Sequence, residues 1–325
     1  YAKGLRGYDV ERAYRACRQT AAGSGAATNR PENDFYLEHG WVPDLLSWSM
    51  DNAYYDWCMG RFAMMRGETE DAKLFAERAQ NYRKLWDAEK GSMRAKTKEG
   101  AWIPWKGKTV FGQGCVESNP GQQSWFVPHD VAGLIEMMGG KEEFARELEQ
   151  FFEQTPDTFA WNDYYNHANE PVHHVPYLFV YAGKPWLTQK WVRRILMKAY
   201  KDSVDGIVGN DDVGQMSAWY VMSALGLYPV CPGDGIYVIG SPLFEKATMQ
   251  LDRRYSKVGS FAVTARMQSP ENVYVQSAKL GGKPLERAWL RHDEVMTGGT
   301  LELVMGPRPN EHWGSKTPPP STRES

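Results

Sequence analysis

Up to about residue 228 the apolar positions recur at helical spacing. Residues 9–22 carry Val10, Ala13, Tyr14 and Cys17 on one face and stop before Gly23, which predicts a helix. Residues 49–65 repeat the pattern until Gly67 ends it. Residues 69–86 continue with Ala72, Phe75, Ala76, Ala79, Tyr82 and Trp86 as a third predicted helix. The stretch 91–121 is irregular, rich in Gly, Lys and Trp, and too long for a simple connector, so a functional loop is expected there. Helical spacing resumes over 131–138, 141–154, 171–181, 185–199 and 214–225.

From Tyr237 the period changes to two. "YVIG", "ATMQL", "FAVTAR", "VYVQSAKL" and "TLELVMG" are short, β-branched and alternating, separated by Gly, Pro and Asp. The chain therefore reads as mainly α with a β module. Residues 1–235 form paired helices of the α/α-barrel or helical-array type, and 236–313 a C-terminal antiparallel β module. Residues 314–325 read as a polar, Pro-rich tail expected to be disordered.

Composition narrows the partners. The formal net charge is -2 with no run of Lys or Arg, which argues against nucleic acid. No apolar run is long enough to cross a membrane as a helix. Cys17, Cys58, Cys115 and Cys231 are scattered without a CxxC, so neither a zinc cluster nor a dense disulfide framework is expected. The 13 Trp and 17 Tyr fit either large hydrophobic cores or a cleft where flat rings stack on sugars.

Three acidic motifs each fall at or before a predicted helix start, where unpaired N–H groups favour carboxylates. They are "CVESNPGQQSWFVPHD" from Cys115, "NHANEPVHHVP" from Asn166, and "GNDDVGQMSAWY" from Gly209. Any one is explained by helix capping, but three crowded with Asn, Gln and His suggest loops converging on a pocket. Asn169 and Glu170 offer the hard oxygen ligands that calcium prefers, and Pro171 suits a first helical position. Asp211 and Asp212 supply a ligand and a base, since adjacent acids point apart. His173 and His174 also point apart and no HExxH is present, so zinc is disfavoured. Glu117, between Cys115, Val116 and Pro120, sits in partly apolar sequence that would raise its pKa toward general-acid duty. An acid and a base on separate loops is what glycoside hydrolysis requires.

The chain resembles glycoside hydrolase family 92, calcium-dependent exo-acting α-mannosidases. The resemblance is carried by "ESNPGQQSWFVPHDV", "NHANEPVHHVPYLF", "PWLTQKWVR" and "GNDDVGQMSAWYVMSALGLYPVCPG", and continues through "YVIGSPLF" to "GPRPNEHWG". It implies an inverting mechanism in an (α/α)6 six-hairpin barrel partnered by a β-rich domain. Glu117 aligns with the general acid, and Asp211 and Asp212 with the acidic pair that includes the base, Asp212 being favoured. Asn169, Glu170 and Asp211 are the implied calcium ligands. Gln122, Trp125, His129, Asp130 and His167 are the expected contacts to a mannose-containing glycan, an N-glycan or mannan. The family sets linkage preference just ahead of Asn169, where this chain has Tyr164, Tyr165, Asn166 and His167. Keeping Glu117 favours a sugar leaving group over a phosphate. Family members are longer, so the barrel is expected to be incomplete at its N-terminus and an N-terminal β domain of the same full-length protein to be missing. The resemblance also implies secretion or a periplasmic location. Two other readings stay open: a truncated, non-catalytic mannose-binding relative, and another α/α-barrel enzyme such as a polysaccharide lyase.

Overall fold

The computed structural model describes residues 1–25 and 28–321. It divides into two compact units, Tyr1–His129 and Asp130–Ser325.

The first unit is helical. Helix α1 (Val10–Ala22) starts where Asp9 accepts a hydrogen bond from Arg12 N (2.9 Å). Helix α3 (Leu46–Arg66) stops at Gly67, whose left-handed φ of 83° turns the chain back. Helix α4 (Thr69–Arg78) then packs on α3 and α1 through Tyr14, Ala21, Met59, Ala63 and Phe75. Burying a side chain such as Phe75 stabilises this cluster by about 1.5–3 kcal/mol. The single helix expected over 69–86 is corrected: α4 ends at Arg78 and the chain tightens into a 3-10 turn, Asn81–Leu85. In a three-residue turn Tyr82 and Leu85 share one face, and both are fully buried. A short helix α2 (Asn33–His39) was invisible to the periodicity, since it begins at Glu32 with no side-chain cap. Strands β1 (Trp86–Asp87) and β2 (Ser92–Met93) form a small hairpin before the long irregular loop, which ends at helix α5 (Pro120–Gln123).

The second unit combines helices and sheets. Helices α6 (Val131–Met137), α7 (Lys141–Glu153), α8 (Pro185–Lys198) and α9 (Gln215–Leu225) match the sequence pattern closely. The helix expected over 171–181 is not α-helical. It is two 3-10 segments, Glu170–Val172 and Val175–Val180, because Pro176 falls inside the expected helix and removes a backbone donor there. Phe152 of α7 anchors the core against Trp191, Tyr165 and Phe179, with ring centroids 5.0, 4.6 and 5.9 Å away.

Strands β3 (Leu227–Tyr228), β4 (Ile236–Ile239) and β9 (Trp289–Arg291) make an antiparallel sheet in the order β3-β4-β9. Strands β5 (Lys246–Gln250), β6 (Ser260–Arg266), β7 (Tyr274–Leu280), β8 (Lys283–Pro284) and β10 (Gly299–Gly306) make a second sheet, ordered β5-β6-β10-β7-β8. The wholly antiparallel expectation is corrected here. The chain leaves through β9 and helix α10 (His292–Met296), so β10 returns between β6 and β7 and runs parallel to β6. Alternation is kept, with Phe261, Val263 and Ala265 buried on β6 and Leu301, Leu303 and Met305 on β10. In the terminal segment, residues 314–321 are described and Trp289 Nε1 donates to Thr317 O (3.1 Å); residues 322–325 lie outside the described set.

Candidate active site

Within the second unit the motifs from Asn166 and Gly209 come together. The backbone at Gly209 lies so close to Ala168 that a Cβ there would be 2.5 Å from Ala168 O, so only glycine fits. His173 carries the next link: its Nε2 bonds His167 O (3.0 Å) and its Nδ1 faces Gln215 Nε2 (3.2 Å). Trp219 Nε1 donates to His173 O (2.8 Å) from α9.

His167 sits in a directed chain of hydrogen bonds. Tyr200 donates its hydroxyl proton to Met216 O (3.0 Å), so it accepts from His167 Nε2 (2.7 Å). His167 Nδ1 is then the acceptor for the Tyr165 hydroxyl (2.8 Å). Burial pushes the His173 imidazole down to about 4 and that of His167 well below its ordinary value, so both are neutral near pH 7. With both nitrogens engaged, these rings brace the loop and are not zinc ligands.

Asp211 and Asp212 stand exposed on a sharp turn. Asp212 (φ 36°), Val213 (φ 59°) and Gly214 (φ 89°) are consecutive left-handed residues, and Val213 is β-branched. Such backbone costs on the order of 1–3 kcal/mol per non-glycine residue and clusters at functional sites. The two acids are not equivalent. Asp211 Oδ1 accepts from Ser217 N (2.8 Å), which ties it to the start of α9. For Asp212 the side chain has no hydrogen bond among the described residues. That asymmetry was invisible in the sequence.

Asn169 is buried and Glu170 half-buried, next to Asn166, whose amide oxygen and nitrogen are both buried without a hydrogen-bond partner. Asn169 N donates to Asn166 O (3.1 Å), which closes this turn. Amide and carboxylate oxygens are a calcium-type donor set. Among the described residues no group of three or more His, Cys, Asp or Glu gathers around one point, so a calcium ion here would draw on amide and backbone oxygens too. The residues fit calcium in that sense and do not fit zinc.

The remaining predicted residues lie at the end of the first unit, apart from Asp130. Glu117 is exposed, so the partly apolar setting expected for its carboxyl is corrected. It sits at φ 49° in the loop before α5. Gln122, Trp125 and His129 are buried, and His129 Nε2 bonds Ala79 O (3.0 Å). Asp130, fully buried, caps α6 by accepting from Gly133 N (2.9 Å). Tyr200, Gln215 and Trp219, which join the two motifs of the second unit, were missed as site residues. The only sequence signal for them was their place within or just before the motif from Gly209.

The model of the glycosyl hydrolase family 92 catalytic domain matches residues 1–307. The chain belongs to glycosyl hydrolase family 92. Among solved structures, a family GH92 α-mannosidase from Bacteroides thetaiotaomicron is 35% identical with a TM-score of 0.91, covering 99% of this chain and 43% of that one. That protein has also been solved in complex with mannoimidazole. A family GH92 inverting mannosidase from B. thetaiotaomicron VPI-5482 is 34% identical with a TM-score of 0.89, covering 98% of this chain and 46% of that one. A protein of Arthroderma benhamiae named as an uncharacterized secreted glycosidase is 28% identical, covering 88% of this chain and 38% of its own length. The chain thus spans under half the length of these relatives. No helix among the described residues is long and apolar enough to cross a membrane.

Proposed function

We propose that this family 92 chain acts as a calcium-dependent, inverting exo-α-mannosidase on terminal α-mannosides of N-glycans or mannans. The observation that carries the reading is the strained turn presenting Asp211 and Asp212, packed through Gly209 against the segment of Asn169 and Glu170. The α-mannosidase and inverting-mannosidase relatives, one of them solved with mannoimidazole, support the substrate class. In this reading the helices are part of an (α/α)6 barrel, and an N-terminal β domain belongs to the same protein. The secreted relative supports export to the cell exterior or periplasm.

The environments support a division of labour. Glu117, reachable by solvent, donates a proton to the glycosidic oxygen as the bond to C1 breaks. Asp212, with no competing side-chain bond, takes the proton from the attacking water. Asp211, held by Ser217 N, serves as a metal ligand. Asn169, Glu170 and Asp211 would hold the calcium ion, which would supply positive charge for binding sugar hydroxyls and water. Gln122, Trp125, His129 and Asp130 are the proposed contacts to the sugar, and His167 fixes the Asn169 segment through its tyrosine partners.

The test is mannose release from α-linked mannobioses with and without a calcium chelator. Release that stops on chelation and returns with added calcium is expected. Glu170→Gln should weaken calcium binding by about ten- to a hundredfold in calorimetry. Calcium-dependent mannose binding without release would instead identify a non-catalytic relative.

A further inference from the structure

The loop of Glu117 is held by side chains of its own motif, Ser118 and Gln123, and by Ser47, which lies outside every motif. The loop of residues 112–118 closes on itself through Gly112 N to Ser118 O (3.0 Å) and Cys115 N to Gly112 O (3.1 Å). Its tip is Glu117, at a left-handed φ of 49° that an L residue with a long side chain adopts only under constraint. The constraint comes from both flanks. On one side, Val116 N donates to Ser47 Oγ (2.9 Å). On the other, the Ser118 hydroxyl donates to Gln123 Oε1 (3.4 Å). The flanks are tied together, because the Ser47 hydroxyl donates to the same Gln123 Oε1 (2.8 Å). Ser47, Ser118 and Gln123 are all buried, at 7%, 2% and 3% exposure, so water does not compete for these bonds.

The two anchors sit on rigid elements. Ser47 is in the first turn of α3, where its own N–H donates to Gly114 O (3.2 Å). Gly114, at φ 83°, presses on that helix start so closely that a Cβ would fall 2.6 Å from Asp44 O. Gln123 ends α5, whose first turn Asn119 caps by accepting from Gln122 N (2.9 Å). Proton transfer demands hydrogen-bond reach of one oxygen, so the backbone that carries the carboxylate has to be fixed.

We propose that Ser47 and Gln123 are positioning residues for the general acid, acting as a buried relay that sets where Glu117 presents its proton. The proposal rests on the reading of Glu117 as that acid. It sharpens the reaction at a defined step: the relay matters when the leaving oxygen needs protonation and not when it leaves unaided.

The test compares Ser47→Ala and Gln123→Asn with Glu117→Gln, each assayed on an α-mannobiose and on a dinitrophenyl α-mannoside. Gln123→Asn keeps the amide and shortens its reach, so it serves if Ser47→Ala does not fold. The expected result is a kcat about tenfold lower on the mannobiose, with the aryl substrate within about twofold of the parent. Ser47→Thr, which keeps the hydroxyl, is expected to restore most of the loss. A merely structural role would lower both substrates alike, and that result, or no loss on either, overturns the proposal. If Glu117→Gln is selective and the relay variants are not, the relay fails while the acid assignment stands. If Glu117→Gln itself lowers both substrates equally, the acid assignment fails and the relay proposal falls with it.

Discussion

Glu117→Gln is expected to abolish most hydrolysis of unactivated α-mannosides while leaving activated aryl α-mannosides close to the parent rate. The amide keeps the shape of the side chain and its place in the 112–118 loop, so folding should be unaffected. What it removes is the proton. General acid assistance is worth about 10²–10⁴ when the leaving alkoxide is poor, and close to nothing when the leaving phenolate is stable by itself. The comparison between the two substrates therefore isolates the chemical role from any loss of binding. Azide or formate, small anions that can act as external nucleophiles or bases, should not rescue the variant on mannobiose, because the missing function is an acid. A uniform loss across both leaving groups would remove Glu117 from that role.

Asp212→Asn is expected to behave differently, with kcat falling about 10²–10⁴ on both substrate classes. The attacking water needs a base whatever leaves, so no choice of aglycone should spare the variant. Asp211→Asn is the control. Its carboxylate accepts from Ser217 N at 2.8 Å, and an asparagine oxygen can keep that bond while lowering the charge available to calcium. The account expects Asp211→Asn to act through calcium affinity, so part of its loss returns as calcium is raised. Asp212→Asn should not respond to calcium in this way. Interchanged behaviour would reverse the roles of the two acids.

Much of the helical frame was legible because its boundaries are written locally. Asp9 accepts from the first turn of α1, Gly67 ends α3, and Pro185 and Gly226 bracket α8 and α9. What failed depended on tertiary packing. The apolar run over 171–181 has the right spacing for an α-helix, yet Pro176 in its interior removes a backbone donor and the run forms 3-10 segments. The parallel placement of β10 beside β6 is set by the path through β9 and α10, which alternation alone does not encode.

The sequence offered candidate site residues by type and left their geometry open. The motifs named Glu117, Asn169, Glu170, Asp211 and Asp212, and the family model agrees with the identity of the chain. Nothing in the sequence distinguished Asp211 from Asp212, because the difference lies in which carboxylate the first turn of α9 engages. Nor did it disclose that His167 is closed off between two tyrosines, or that Ser47, some seventy residues upstream, supports the loop of Glu117. These contacts join positions far apart in sequence, where no periodicity or spacing rule reaches.

The proposed reaction is a single displacement at C1 by water, with one carboxylate giving a proton and another taking one. Proton NMR of the first turnovers of an α-mannoside, recorded before the released sugar mutarotates, tests it most directly. The account predicts that the β-anomer of mannose appears first and decays toward the equilibrium mixture. Initial release of α-mannose would mean retention through a covalent intermediate, and would contradict the mechanism.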